Sequence, residues 1–291
     1  MAGSGSVENA TLAADHAHCL AVLRETDRDR YLACLLTPAD KRGPLSALYA
    51  FNAEIARIRD LVHEPLPGEI RMQWWRDLLE GGADGDASAN PLARALLRTV
   101  ADHRLPVSSL VALIEARIFD LYDDPMESRT AFEGYAGETA SALIQMASLI
   151  LDAEKAAGSA TIAGHTGVAQ TVAGSLLLLE VHRRRGQVYL PADLLAATGL
   201  DAREFLLGTN RPAVANAITA FVGFGRDHLR QARSAGTIAP GNIFAFLPVA
   251  FIERVFNAAE RAGADALEKS LQPPQWRRQW AMWRMLATRR L

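Results

Sequence analysis

Cys19 and Cys34 are the only cysteines in this 291-residue chain, too few for a disulfide framework or a structural zinc site, which suits a reducing compartment. Read as two half-buried helix thiols, they carry no chemistry. Lysine is nearly missing, occurring at 41, 155 and 269 only, so 28 of the 31 basic residues are arginine. With alanine abundant, that bias reads as high-GC codon usage and points to a bacterial source. Excess charge of either sign is also lacking: the formal charge is −2 and the pI about 6.4. A nucleic-acid partner is therefore excluded, because non-specific binding to phosphates requires clustered basic charge. No basic segment followed by an apolar run opens the chain, so no secretory signal is expected. The greasiest stretches, 176–179 and 140–151, end at Glu180 and are interrupted by Gln145, short of the roughly 18 apolar residues of a spanning helix. A cytoplasmic location is expected. Missing too are G-x-x-x-x-G-K-[ST], G-x-G-x-x-G after a strand, H-E-x-x-H and G-x-S-x-G, which removes the common nucleotide, metalloprotease and hydrolase readings. His16 and His18 diverge on a helix and lack a third ligand, so no metal is assigned to them.

What is present is apolar and helical. Apolar residues make up 49% of the chain and charged residues 22%, with a mean hydropathy of +0.02, enough to bury a large core. Most windows repeat apolar residues at i, i+3, i+4 and i+7, the helical period, and β-branched residues are scattered. Thr37-Pro38 starts a helix running to about Val62, since proline suits the first turn. Further helices are predicted over 10–34, 68–80, 90–103, 107–122, 129–152, 157–184, 201–207, 211–235, 241–262 and 273–290. GGADGDASAN (81–90) reads as a loop and GQVYLPAD (186–193) as a turn. Without a linker or repeat, the expectation is one all-α domain over 1–291, with 1–9 flexible. The helices near Pro38 and Ala157 should face each other across a central cavity.

Several stretches carry a resemblance: RYLACLLTPADKRGPLSALYAFNAEIARIRD (30–60), RMQWWRDLL (71–79), DLY (120–122), GYAGETASAL (134–143) and RRGQVYLPADLL (184–195). Together they resemble the squalene/phytoene synthase family, head-to-head prenyltransferases, over roughly 27 to 290. The resemblance implies an all-α isoprenoid-synthase-like bundle. It also implies aspartates on two facing helices that bind magnesium, which stabilises the charge of a leaving diphosphate. Those aspartates are mostly gone. Where the family reads C-R-x-x-D-D-x-x-D after ALYAF, this sequence has Asn52, Ala53, Glu54, Ile55, Ala56, Arg57, Ile58, Arg59 and Asp60, so only Asp60 survives. Counting back from Gly186, the three acidic positions of the second motif fall on Leu178, Val181 and His182, with Glu180 one residue away. Asp29 matches the family's N-terminal serine and would repel a diphosphate. Asp120, Asp123 and Asp124 offer no substitute set, because Pro125 ends the helix at once.

A narrower likeness runs through ALYAFNAEIARIRDLVHEPLPGEIRMQWWRDLLEG (47–81), which is similar to a branch of the family represented by a mitochondrial complex I assembly factor that also lacks the aspartates. This resemblance marks Asn52, Glu54, Arg71, Gln73, Trp74 and Trp75 as a site used for something other than prenyl coupling. The bland reading makes Trp74 and Trp75 one core and one rim aromatic and pairs Glu54 with an arginine. No catalytic or metal residue is assigned; the ligand-binding candidates are Tyr49, Asn52, Glu54, Arg57, Asp60, Arg71, Gln73, Trp74, Arg184, Arg185 and Tyr189.

Three functions follow. The first is a catalytically dead assembly or scaffold factor for a respiratory membrane complex, with a subunit or assembly protein of that complex as partner and no cofactor. The second is a prenyltransferase with a degenerate magnesium site. The third is a metal-free binder of prenyl diphosphate or lipid, in which Arg57, Arg59, Arg184 or Arg185 replaces magnesium, since arginine forks hold phosphates. The C-terminal WRRQWAMWRMLATRRL (276–291) leaves two readings open. Trp276, Trp280 and Trp283, at i, i+4 and i+7, either complete the core or lie in the headgroup layer of an anionic membrane beside five arginines, making the protein peripheral on the inner face of the cytoplasmic membrane.

Overall fold

Local capping chemistry sets where the helices begin. The computed structural model describes residues 2–82 and 89–291, with side chains from residue 10 onward; most of the 81–90 loop lies outside the described residues. The helices are α1 (Ala2–Thr26), α2 (Arg28–Leu36), α3 (Ala39–Leu61), α4 (Pro65–Leu79), α5 (Pro91–His103), α6 (Val107–Ile118), α7 (Arg129–Ala136), α8 (Ala142–Leu151), α9 (Ala153–Ala156), α10 (Ala160–Leu177), α11 (Leu179–Arg185), α12 (Ala192–Ala197), α13 (Ala202–Leu207), α14 (Arg211–Ser234), α15 (Ile252–Ala262) and α16 (Gln275–Thr288). No strand occurs among the described residues, and the all-α class stands.

Side-chain oxygens accept from otherwise unpaired first-turn amides at Asp27, Asn90, Ser128, Asp152, Asp201 and Asn210, the usual satisfaction of a helix N-terminus. Asp27 also corrects the sequence reading. It leaves helical geometry (φ −146°, ψ 82°) to cap α2, splitting the helix predicted over 10–34, and α1 begins inside the stretch set aside as 1–9. The helix predicted over 157–184 turns by 65° between the α9–α10 run and α11. That over 241–262 is a 3₁₀ segment, Asn242–Val249, followed by α15; Pro248 lacks the amide that an α-helical bond there would use. The apolar stretch Asn242–Leu267 has the length and hydropathy of a membrane span, but 67% of its most apolar window is buried inside the protein. The helix α12 begins inside the segment read as a turn.

Two compact units divide the chain. The first comprises Met1–Leu121, Leu143–Gly158 and Ala239–Pro248; the second comprises Tyr122–Ala142, Ser159–Ile238 and Val249–Leu291. In the first, α1, α3 and α5 pack mutually and α4 packs on α6. Arg94 of α5 forks onto buried Asp15 of α1, with Nε to Oδ2 at 2.9 Å, a charge-assisted pair that fixes the two helices. Tyr49, Phe51, Leu45, Leu48, Ile55 and Ile58 bury the inner face of α3. Cys19 and Cys34 are fully buried, deeper than the sequence suggested, and burial pushes the Cys19 thiol up to about 12, so both are unreactive thiols. In the second unit α10 packs along α14, and α15 packs against both. A π-helical turn, Gly137–Ser141, lies against α10.

Candidate functional site

In the first unit, α3 carries the residues matched to the family's first motif. Tyr49 and Asn52 face inward and are buried, whereas Arg57 and Asp60 lie on the exposed side. Glu54 reaches across to Arg71 of α4 at 3.5 Å, and Arg76 of the same helix meets Glu115 of α6 at 3.1 Å. Trp75 is buried with its ring 5.3 Å from Phe51 and 4.9 Å from half-buried Trp74, both edge-on. The tryptophan pair is thus one core and one rim aromatic, and Glu54 does pair with an arginine. Gln73 spends its amide on Asp77 of its own helix, at 2.6 Å. Hence Glu54 and Arg71 are brought together, Trp74 packs on Trp75, and Gln73 is engaged within α4.

Beneath α3 lies a polar cluster that spacing does not reveal. Arg30 of α2 sits 5.6 Å over the Tyr49 ring and bonds Asp27 at 2.6 Å. Arg117 of α6 bonds Asp120 at 2.9 Å and is near enough to oppose the charge on Arg30. Burial works against the Arg30 cation, but Asp27 more than offsets it, so the guanidinium is held charged. Burial raises the pKa of Tyr49 far above its ordinary value. Its hydroxyl stays protonated, without a hydrogen-bond partner among the described residues.

In the second unit, Glu133 (α7), His165 (α10) and His228 (α14) form a chain. His228 Nε2 lies 3.0 Å from Glu133 Oε1, and His228 Nδ1 lies 3.1 Å from His165 Nδ1. With Glu133 ionised, Nε2–H donates to the carboxylate, and Nδ1 of His228 accepts from His165. Phe132 packs edge-on against both Phe221 and Phe224, and Phe224 packs edge-on against His228. Burial lowers the pKa of His228, opposed by the Glu133 carboxylate. The three residues were missed in the sequence because 95 and 63 positions separate their bonded pairs.

The candidates after α10 have ordinary settings. Arg184 is 75% exposed and paired with Glu180 one turn earlier on the same helix. Arg185 is exposed, and Tyr189 lies against His182, with ring centroids 4.5 Å apart. Leu178 and Val181, at the positions of the second acidic motif, are 45% and 36% exposed. Among the described residues, no three histidine, cysteine, aspartate or glutamate side chains gather as metal ligands would. His165, His228 and Glu133 bond one another rather than converge on a point. The donor set does not fit the magnesium cluster that the family's chemistry uses.

Comparison with known proteins fixes the relationship. The squalene/phytoene synthase family model matches residues 23–284. Complex I assembly factor 6 of Rattus norvegicus is 32% identical over 258 residues, covering 88% of this chain and 77% of the relative. The Homo sapiens protein is 32% identical over 259 residues, covering 89% and 77%. Among solved structures, a dehydrosqualene synthase in complex with ligand superposes with a TM-score of 0.80 at 15% identity, covering 95% of this chain and 97% of that one. Squalene synthase HpnC from Alicyclobacillus acidocaldarius gives 0.72 at 20% identity, covering 87% and 95%. These two share the fold. By sequence and fold together, this chain belongs to the squalene/phytoene synthase family.

Proposed function

We propose that this protein is a non-catalytic member of its family that acts as an assembly factor for the respiratory NADH dehydrogenase, complex I, and that it works without magnesium. The observation that carries this reading is the combination of 31–32% identity to mammalian complex I assembly factor 6 over 88–89% of the chain with apolar side chains at the second metal motif. Leu178 and Val181 supply no oxygen ligands, and Ala56 and Arg57 replace the first two aspartates of the other motif. A leaving diphosphate would therefore lack the Lewis acid that stabilises its charge. Glu54–Arg71 and Trp74 then serve as part of a surface recognised by a complex I subunit or another assembly protein.

Incubation with farnesyl and geranylgeranyl diphosphate, with and without magnesium, separates this reading from the prenyltransferase alternative. The proposal expects no magnesium-dependent release of diphosphate. Sustained release with either substrate would make the protein an enzyme and overturn it. Metal-independent binding without turnover would add a prenyl diphosphate or lipid ligand and leave the assembly reading in place, since arginine alone holds a phosphate but gives little transition-state stabilisation.

A further inference from the structure

We propose that α16 is a membrane-docking element, by which the protein settles reversibly on a bilayer surface rich in anionic lipid. The proposal goes beyond the assembly reading and does not depend on it. Ala281, Met282 and Met285 bury one face of α16. Trp276, Trp280 and Trp283 point the other way, at 64%, 63% and 60% exposure. At about 100° per residue, positions i, i+4 and i+7 fall within an arc of roughly 60°, so the three indoles form one stripe. A tryptophan side chain carries about 150–250 Å² of largely apolar surface, of which some three-fifths is exposed at each position, and three in one stripe exceed the scattered hydrophobics normal on a protein exterior.

Charge selects the occupant. From Gln275 to Leu291 there are five arginines and no acidic residue, in a chain of formal charge −2. Arg278 turns inward, 5.9 Å over Phe251. Arg277 lies 5.1 Å over the Trp276 ring, Arg284 flanks the same side of the stripe by helical position, and Arg289 and Arg290 are exposed beyond the helix end. Indole rings prefer the boundary between headgroups and acyl chains, and arginine is drawn to anionic headgroups. A second copy is disfavoured, because two such segments would bring like charges together. The helix, about 21 Å long for its 14 residues, is too short to span, and its inner face is already committed to the protein. It lies on the surface, with only the indole stripe inserted.

Flotation with vesicles tests this. At low salt the full-length protein should float with phosphatidylcholine vesicles containing phosphatidylglycerol, stay largely free of pure phosphatidylcholine, and dissociate as salt is raised. Its tryptophan emission should shift to the blue on binding. The variant Trp276→Ser/Trp280→Ser/Trp283→Ser should bind about tenfold or more weakly, with an unchanged circular dichroism spectrum because these side chains are exposed. The variant Arg277→Gln/Arg284→Gln/Arg289→Gln/Arg290→Gln should lose the preference for anionic vesicles. Failure of the wild type to float would overturn the proposal, as would unchanged binding of the tryptophan variant. A concentration-dependent dimer that the tryptophan variant abolishes, without flotation of the wild type, would assign the stripe to a second copy and equally overturn it. No respiratory complex is present in the assay, so its failure leaves the assembly reading untouched.

Discussion

Gly167 lies where α10 meets the π-helical turn, and a Cβ there would stand 2.6 Å from the Ser141 Cα. The Ser141 hydroxyl donates to the Gly164 carbonyl at 2.8 Å, so neither partner is free to give way. Gly167→Ala should destabilise the protein by about 1–3 kcal/mol, the range for overpacking, whereas Gly174→Ala on the same helix, with nothing within 4 Å, should gain about 0.5–1 kcal/mol from helix propensity. Urea unfolding of the pair decides it, and equal shifts would refute the packing account. His228 supports a second prediction. Burial lowers its pKa, as it does those of His16 and His103, so the unfolded chain binds more protons once the pH falls below about 6.5. Stability is complete above that pH and declines as the pH falls, and His228→Asn should flatten the decline. An unchanged pH profile in this variant would show that the Glu133–His228–His165 chain does not couple to folding. Single-residue roles were readable where they are local: the core-and-rim tryptophan pair follows from adjacent positions on one helix, whereas Glu54 was expected to meet an arginine and only the packing of α4 on α3 makes that arginine Arg71. The histidine chain and the Arg30–Tyr49 stack join distant segments, and no spacing rule reaches them.

Among the helices, α3 was legible from Thr37-Pro38 to Val62, because a proline start and an unbroken apolar stripe agree. The breaks were not, because the cap at Asp27 and the bend at Leu178 interrupt stretches whose periodicity continues through them. The missed helix α12 begins at Ala192, directly after the Pro191 that made 186–193 read as a turn. The bend bears on chemistry, since it falls at the second motif and leaves Leu178 and Val181 partly exposed on α10–α11. Ala56→Asp/Arg57→Asp should therefore gain no magnesium-dependent release of diphosphate from farnesyl diphosphate. It rebuilds the first motif while the second still presents Leu178, Val181 and His182, and half a ligand set does not hold a metal cluster. Release from this double variant would show that the first helix alone suffices.

At the scale of the whole molecule, a synthase fold has kept its helices while its diphosphate chemistry has lost its ligands. Fold and sequence diverge accordingly: two solved synthases share the architecture at 15% and 20% identity, and mammalian assembly factors are 31–32% identical. The fold class and family were legible in the motifs that shape helices and turns, such as ALYAF and RRGQVYLP, because the helices and turns they encode do not depend on the metal ligands. Association with a respiratory complex was legible through the resemblance, but which of its subunits or assembly proteins is the partner was not, since recognition of another protein uses exposed side chains in no fixed pattern. The amount of assembled complex I in membranes of the native host is the most direct measure of the central claim. Deleting the gene should lower it, together with NADH-dependent quinone reduction, and the wild-type chain should restore both. Complex I at full level and activity in the deletion strain would contradict the claim.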